Sequence, residues 1–295
     1  MGEASRNRRR MHARLRAQPW CIYCGGMNEA TTIDHMPPIT IFDQRRRPRG
    51  LEFSACQPCN SGGRVAEKIV GLVSRIYPDP PNDTKELKRL YREFASHHPD
   101  LLKEMWPTDE QLGKFRRQQA NLPAGAHPLN ARGPLLNEAM NRVAAKLALA
   151  LHFEMTGTIA SPAAVVAARW YPNYQVYTEG IPDVLLEAVG NPGTLVQGKW
   201  SVGDQFVYAS ARTPNGKQSL FVARFREALA VAGMVYDELD PPPKLKVSQS
   251  CDLGSCAPIR NSTISPHRVA AGSARIGIGA ACTTSSRSEH RGSSY

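Results

Sequence analysis

No stretch of the 295 residues approaches the roughly 18 consecutive apolar residues that span a bilayer. The opening residues, Met1 to Arg6, lack the apolar run of a secretory signal. Neither a membrane protein nor a secreted one is expected, and the chain reads as cytoplasmic. Cysteine is missing from the 191 residues between Cys59 and Cys251. A disulfide framework through the body of the chain is therefore excluded. Lysine is missing from the first 64 residues, where every cation is one of 11 arginines. Among the last 55 residues the only Phe, Trp or Tyr is Tyr295, so that segment lacks the apolar surface to offset ordering entropy.

What is present divides the same way. The net charge of +11 is concentrated at the ends. Residues 1–64 set 11 arginines against 5 acidic side chains, residues 65–240 are balanced at 19 of each sign, and residues 241–295 hold 7 basic and 2 acidic. A neutral middle between basic ends points to a polyanionic partner, nucleic acid first; solvated surface charge is the plainer alternative. With 41% hydrophobic residues the chain can bury one large core or two smaller ones.

The organisation expected is α+β in three parts. Residues 1–78 form a basic helix (5–17) and a cysteine module. That helix is either solvated or laid along a phosphate backbone. The module holds a knuckle, a strand over 31–35, an Arg-rich loop at 45–49, a strand near 51–54 and a second knuckle leading into a helix. Val65, Ile69, Val73 and Ile76 share one face of that helix. Pro78, Pro80 and Pro81 mark a boundary. Residues 79–240 form an α+β accessory region. It has a long helix over 133–155, striped by Leu136, Met140, Val143, Leu147 and Leu151, and a small antiparallel sheet from strands at 194–200, 205–211, 220–226 and 230–236. Residues 241–295 are a disordered, basic, Ser-rich tail whose Cys251, Cys256 and Cys282 fit no ligand pattern. His97, His98, His127 and His152 have no partner motif and read as structural.

The chemistry lies in the first sixty residues. Cys21-Ile-Tyr-Cys24 and Cys56-Gln-Pro-Cys59 are two C-x-x-C turns, each able to present a pair of thiolates. Together they make a structural zinc site; two unrelated thiol pairs or a redox motif is the alternative. The 31 residues between the pairs exceed the roughly 15–20 of an ordinary ribbon, so a functional element is inserted. It contains Thr31-Thr-Ile-Asp34-His35-Met-Pro37-Pro38, a β-branched strand ending at an adjacent Asp and His. Regular alternation would send those two side chains to opposite faces, whereas a relaxed strand end lets both border one cavity. Asn60 follows Cys59 directly. Asp34 and Asn60 then offer hard oxygen ligands for a Mg²⁺-like ion, and His35 stays free as a base. The plainer readings are a turn-closing Asp34, a surface His35, Asn60 as a helix N-cap, and Arg45, Arg46, Arg47 and Arg49 as a solvated loop.

Cys-x-x-Cys, a strand ending in Asp-His-x-Pro, and Cys-x-x-Cys-Asn together resemble the HNH endonuclease superfamily in its zinc-stapled ββα-metal form, similar in layout to the phage endonuclease VII type. The resemblance covers about residues 18–70. It implies structural zinc on Cys21, Cys24, Cys56 and Cys59, His35 as general base, and a catalytic Mg²⁺ or Mn²⁺ on Asp34 and Asn60. It further implies phosphodiester hydrolysis in nucleic acid, DNA first, with Arg45, Arg46, Arg47 and Arg49 on phosphates. Where the family carries its central Asn this sequence has Leu51, leaving Gln44 or a backbone carbonyl to orient His35. Where relatives carry a further metal-binding His it has Arg64. The accessory region would set substrate choice, self-association or recruitment. The competing readings are a non-catalytic zinc module that binds nucleic acid and a protein-interaction scaffold with incidental zinc.

Overall fold

The computed structural model describes residues 3–76, 84–118 and 129–237. Its elements in chain order begin with helix α1 (Glu3–Ala17), strands β1 (Thr32–His35) and β2 (Glu52–Ala55), and helices α2 (Gln57–Ser61) and α3 (Arg64–Val73). Helices α4 (Thr84–His97), α5 (Pro99–Met105), α6 (Asp109–Gln118) and α7 (Pro134–Thr156) follow. Then come β3 (Val165–Pro172), α8 (Asn173–Thr178), α9 (Asp183–Ala188) and the two-residue strands β4 (Val196–Gln197) and β5 (Trp200–Ser201). Strands β6 (Phe206–Arg212), β7 (Gln218–Phe225) and β8 (Leu229–Tyr236) end the described chain. The mixed helix and sheet composition matches the α+β expectation. No helix among the described residues is long and apolar enough to cross a membrane.

Helix α7 organises the rest. Pro134 sits in its first turn, where a missing N–H costs nothing, and Ala and Leu dominate its interior. The carboxylate of Glu104 accepts from the free N–H groups of Leu135 and Leu136, both at 2.9 Å, a favourable charge for a helix N-terminus. Gly157 ends the helix in the left-handed region at φ 68°, its N–H returning to the Phe153 carbonyl. One side of α7 packs on α3 and another on the antiparallel sheet ordered β3-β8-β7-β6. Leu147, Leu151, Phe221, Phe225 and Val235 are buried in the shared core. The far face of the sheet holds a smaller cluster of Tyr171, Val222, Ala230 and Ala232 beneath α8 and α9. Phe221 lies across from Gly233 on β8, and its ring occupies the space a Cβ there would take, 2.3 Å from the nearest ring carbon.

The expected strands at 205–211, 220–226 and 230–236 appear as β6, β7 and β8, shifted by one or two residues. The strand expected over 194–200 does not form as one element: Gly198, at φ 62°, folds it into the tight β4–β5 hairpin. The sheet's fourth strand is β3 instead. In α3, Ile69 and Val73 are buried and Ile76 packs against the core, whereas Val65 is 43% exposed. Residues from the cysteine module (Cys21, Phe53, Ile69) and from α4, α7 and the sheet belong to one continuous core. The boundary expected at Pro78–Pro81, His127, and the tail from residue 241 with its cysteines lie outside the described residues.

Candidate metal centre and active site

Two turns bring the four N-terminal cysteines together. In the first, Gly25 and Gly26 take left-handed φ of 67° and 75°, letting the Gly26 N–H return to the Cys21 carbonyl at 3.0 Å. In the second, Cys56 precedes α2, and the Asn60 N–H bonds the Cys56 carbonyl at 3.0 Å. All four sulfurs lie within 4.8 Å of one another, none in a disulfide. Tetrahedral Zn–S bonds of about 2.3 Å place thiolates about 3.8 Å apart, so the cluster needs only a small contraction to close on zinc. Hydrogen bonding from Cys59 draws the Cys21 thiol down to about 5, while burial pushes Cys56 up. A thiol set of this kind, largely buried and pre-gathered, fits a structural metal such as zinc.

The staple holds an antiparallel β1–β2 hairpin against α2. Its register pairs Asp34 with Phe53 and His35 with Glu52. Pairing stays regular through His35, so alternation persists: Asp34 is buried and His35 exposed. The strand end does not relax to bring both side chains into one cavity. Asn60 is drawn to the same strand, its side-chain amide donating to Thr32 Oγ1 at 2.9 Å and to the Ile33 carbonyl at 3.5 Å.

On the buried face, Asp34 Oδ1 accepts from the His35 N–H at 2.9 Å, and Oδ2 lies 2.9 Å from Lys146 Nζ. The same ammonium lies 2.9 Å from Glu67 Oε1 and 5.2 Å from the centre of the Tyr23 ring. Burial opposes the charge on Lys146, but Asp34 and Glu67 outweigh it and hold the ammonium above its ordinary range. Burial raises the Glu67 carboxyl, with Lys146 opposing. Burial, followed by the Asp34 charge, raises the Tyr23 phenol.

On the His35 side, buried Glu52 receives two hydrogen bonds from Arg10 at 2.5 and 2.6 Å, while Arg14 donates to its backbone carbonyl at 2.7 Å. Burial works against the Glu52 charge, yet Arg10 prevails and pulls its carboxyl down. Helix α1 is thereby fastened beside His35, leaving Arg6, Arg8, Arg9 and Arg16 exposed. Lost hydration, then the charge of Arg47, draws the His35 imidazole below its ordinary value although the ring is accessible.

The insertion between the strands is held by three arginines. Arg47 donates to the carbonyls of Met36, Pro37, Pro48, Gly50 and Leu51, between 2.8 and 3.2 Å. Arg75, fully buried, reaches from beyond α3 to the carbonyls of Thr40 and Phe42. Arg226, from the β7–β8 turn, bonds the Ile41 carbonyl and the Asp43 carboxylate. Of the four loop arginines expected on phosphates, Arg45, Arg46 and Arg49 are exposed, and Arg47 is committed to its own loop. An apolar cavity of about 350 Å³ lies elsewhere, lined by Leu72, Leu87, Tyr91, Met105 and Trp106 among others, and touches none of these residues.

Sequence reasoning missed Lys146, Glu67, Glu52 and the loop-holding role of Arg47. Lys146 had a signal: it is the one charge in the run Val143 to Phe153. Compared with known proteins, the chain matches no family model, no curated protein and no solved structure.

Proposed function

We propose that the chain is an HNH-type endonuclease that hydrolyses phosphodiester bonds in nucleic acid, DNA first. The observation that carries this reading is the cysteine-stapled strand–strand–helix unit, in which Asp34 and His35 adjoin on β1 and Asn60 bonds the same strand. His35 is accessible and, with its pKa drawn down, neutral at physiological pH, as a base that takes a proton from water must be. The exposed Arg45, Arg46 and Arg49 of the loop between β1 and β2, and the exposed arginines of α1, offer phosphate-binding charge in the same module.

Asp34 and Asn60 are the residues that would hold a catalytic divalent ion. The donor set is hard oxygen, although Asp34 lies on the buried face of β1, opposite His35. When bound, such an ion supplies charge neutralisation at the phosphate and leaving oxygens. One observation favours the second reading, a non-catalytic zinc module that binds nucleic acid: Lys146 already gives Asp34 its counter-charge. Plasmid nicking with Mg²⁺ or Mn²⁺, wild type beside His35→Ala, separates the two. The nuclease reading expects cleavage that His35→Ala removes; the binding reading expects salt-sensitive DNA affinity and no cleavage by either protein.

A further inference from the structure

Two surface helices carry matching charge patterns of opposite sign. On α4, Lys88 and Arg92 are exposed four residues apart, so they share one face about 6 Å along the axis. On α9, Asp183 and Glu187 are exposed at the same spacing. Like charges so placed repel, whereas α6 and α7 put opposite charges there, as Glu110–Lys114 and Glu138–Arg142. Among the described residues none of the four makes an ion pair. Each pair also borders exposed apolar surface. Beside Lys88 and Arg92 is the cavity of about 350 Å³, floored by buried Leu72, Leu102 and Met105 and flanked by half-exposed Tyr91 and Trp106. On α9, Leu185 packs inward, and the exposed Val184 and Leu186 flank the acidic pair on the outward face. Residues 178–198 hold three carboxylates and no lysine or arginine. The two surfaces cannot meet within one chain. α9 lies on the far face of the sheet, while α4 and α5 pack with α3 and α7 on the other side.

We propose that these surfaces are the two halves of a contact between copies of this chain: α9 of one copy lies on the α4–α5 groove of the next. Its acidic pair meets Lys88 and Arg92, and its apolar flank enters the groove beside Tyr91 and Trp106. A helix suits such a groove, because its backbone is already hydrogen-bonded and the lining offers almost nothing polar. Each copy carries one surface of each kind, so the contact is heterologous and joins copies head to tail. The patch on a six-residue helix is small, which makes the association weak and steered by charge. The proposal draws nothing from the nuclease reading.

The test is sedimentation velocity of the full-length, zinc-loaded protein across a range of concentrations at low and high salt. Wild type should self-associate at low salt and come apart as salt rises, since exposed charges are screened. Lys88→Glu with Arg92→Glu should weaken association at least about tenfold, because like charges then face each other. Asp183→Lys with Glu187→Lys should do the same. Both double variants should melt as wild type does, the four side chains being exposed. An equimolar mixture of the two should associate again, because each supplies the charge that the other now needs. Wild type that stays monomeric at low salt would overturn the proposal and leave the groove to a different acidic partner. Loss on the α9 reversal alone would also overturn it and place the basic segment 241–295 on α9. So would a mixture of folded variants that stays monomeric. If either reversal does not fold, Arg92→Ala and Glu187→Ala decide: each should weaken association, and unchanged association overturns the proposal. No readout here uses cleavage, so the nuclease reading stands or falls separately on His35→Ala.

Discussion

Arg47 donates to the carbonyl of Leu51 at 3.2 Å, and under the proposed nuclease reading Leu51 occupies the place of a central Asn. In this chain the loop beside His35 is held from the other end, by one guanidinium on five carbonyls. Burial draws the Arg47 pKa down to about 10, which leaves it charged at neutral pH. Leu51 at φ 46° and Gly50 at φ 113° are the strained backbone that this staple supports. Arg47→Ala should lower unfolding stability by about 2–4 kcal/mol, since several charge-assisted bonds to buried carbonyls are lost together. Arg47→Lys should recover less than half of that, because an ammonium cannot reproduce the planar fork. Denaturant melts with zinc retained provide the check.

The four cysteines should bind one zinc per chain. Cys56→Ser should lower zinc content and melt the hairpin, because metal affinity at such a site is folding energy. Elemental analysis alongside circular dichroism measures both. A folded, zinc-free protein would contradict the assignment.

Stability should fall as pH drops below about 6.5, in part through His152. This histidine is 1% exposed, with Nδ1 2.9 Å from Ser219 Oγ, and burial holds its pKa below the ordinary value. The unfolded chain therefore takes up a proton before the folded one does. The stabilisation is complete above the unfolded pKa and is lost as pH falls toward the folded one. His152→Gln should flatten that slope below about pH 6.5 in pH-resolved thermal melts.

The parts legible in the sequence were those written locally. The C-x-x-C spacing announced the metal cluster, and the Leu136–Leu151 stripe announced α7. Less visible was anything fixed by partners distant in sequence. β3 is an edge strand without a clean two-residue period, and α8 and α9, at six residues each, are too short to display a helical one. A lone Lys146 in an apolar run was visible as an anomaly. Its meaning was not, because Asp34 lies 112 positions earlier and the two meet only after α7 packs on α3. Arg47 read as a phosphate ligand for the same reason: arginine composition does not reveal which guanidinium the backbone will claim.

Binding to nucleic acid should depend on the arginines left free. Replacing Arg45, Arg46 and Arg49 together by Ala should weaken DNA binding and reduce the slope of log K against log salt by about 2–3, near 0.9 for each phosphate that is no longer neutralised. Zinc content and melting temperature should be unchanged, since all three side chains are exposed. An unchanged slope would place the DNA elsewhere, α1 being the next candidate.

The most direct measurement is cleavage of supercoiled plasmid in Mg²⁺ or Mn²⁺ by wild type and His35→Ala, matched for zinc content and DNA affinity. The nuclease reading predicts nicking by wild type and a loss of about 10²–10⁴ in rate for His35→Ala, the usual cost of removing a general base. Cleavage by His35→Ala at the wild-type rate would contradict the assignment of His35. No cleavage by wild type that binds DNA would leave the zinc-stapled module as a nucleic-acid binder.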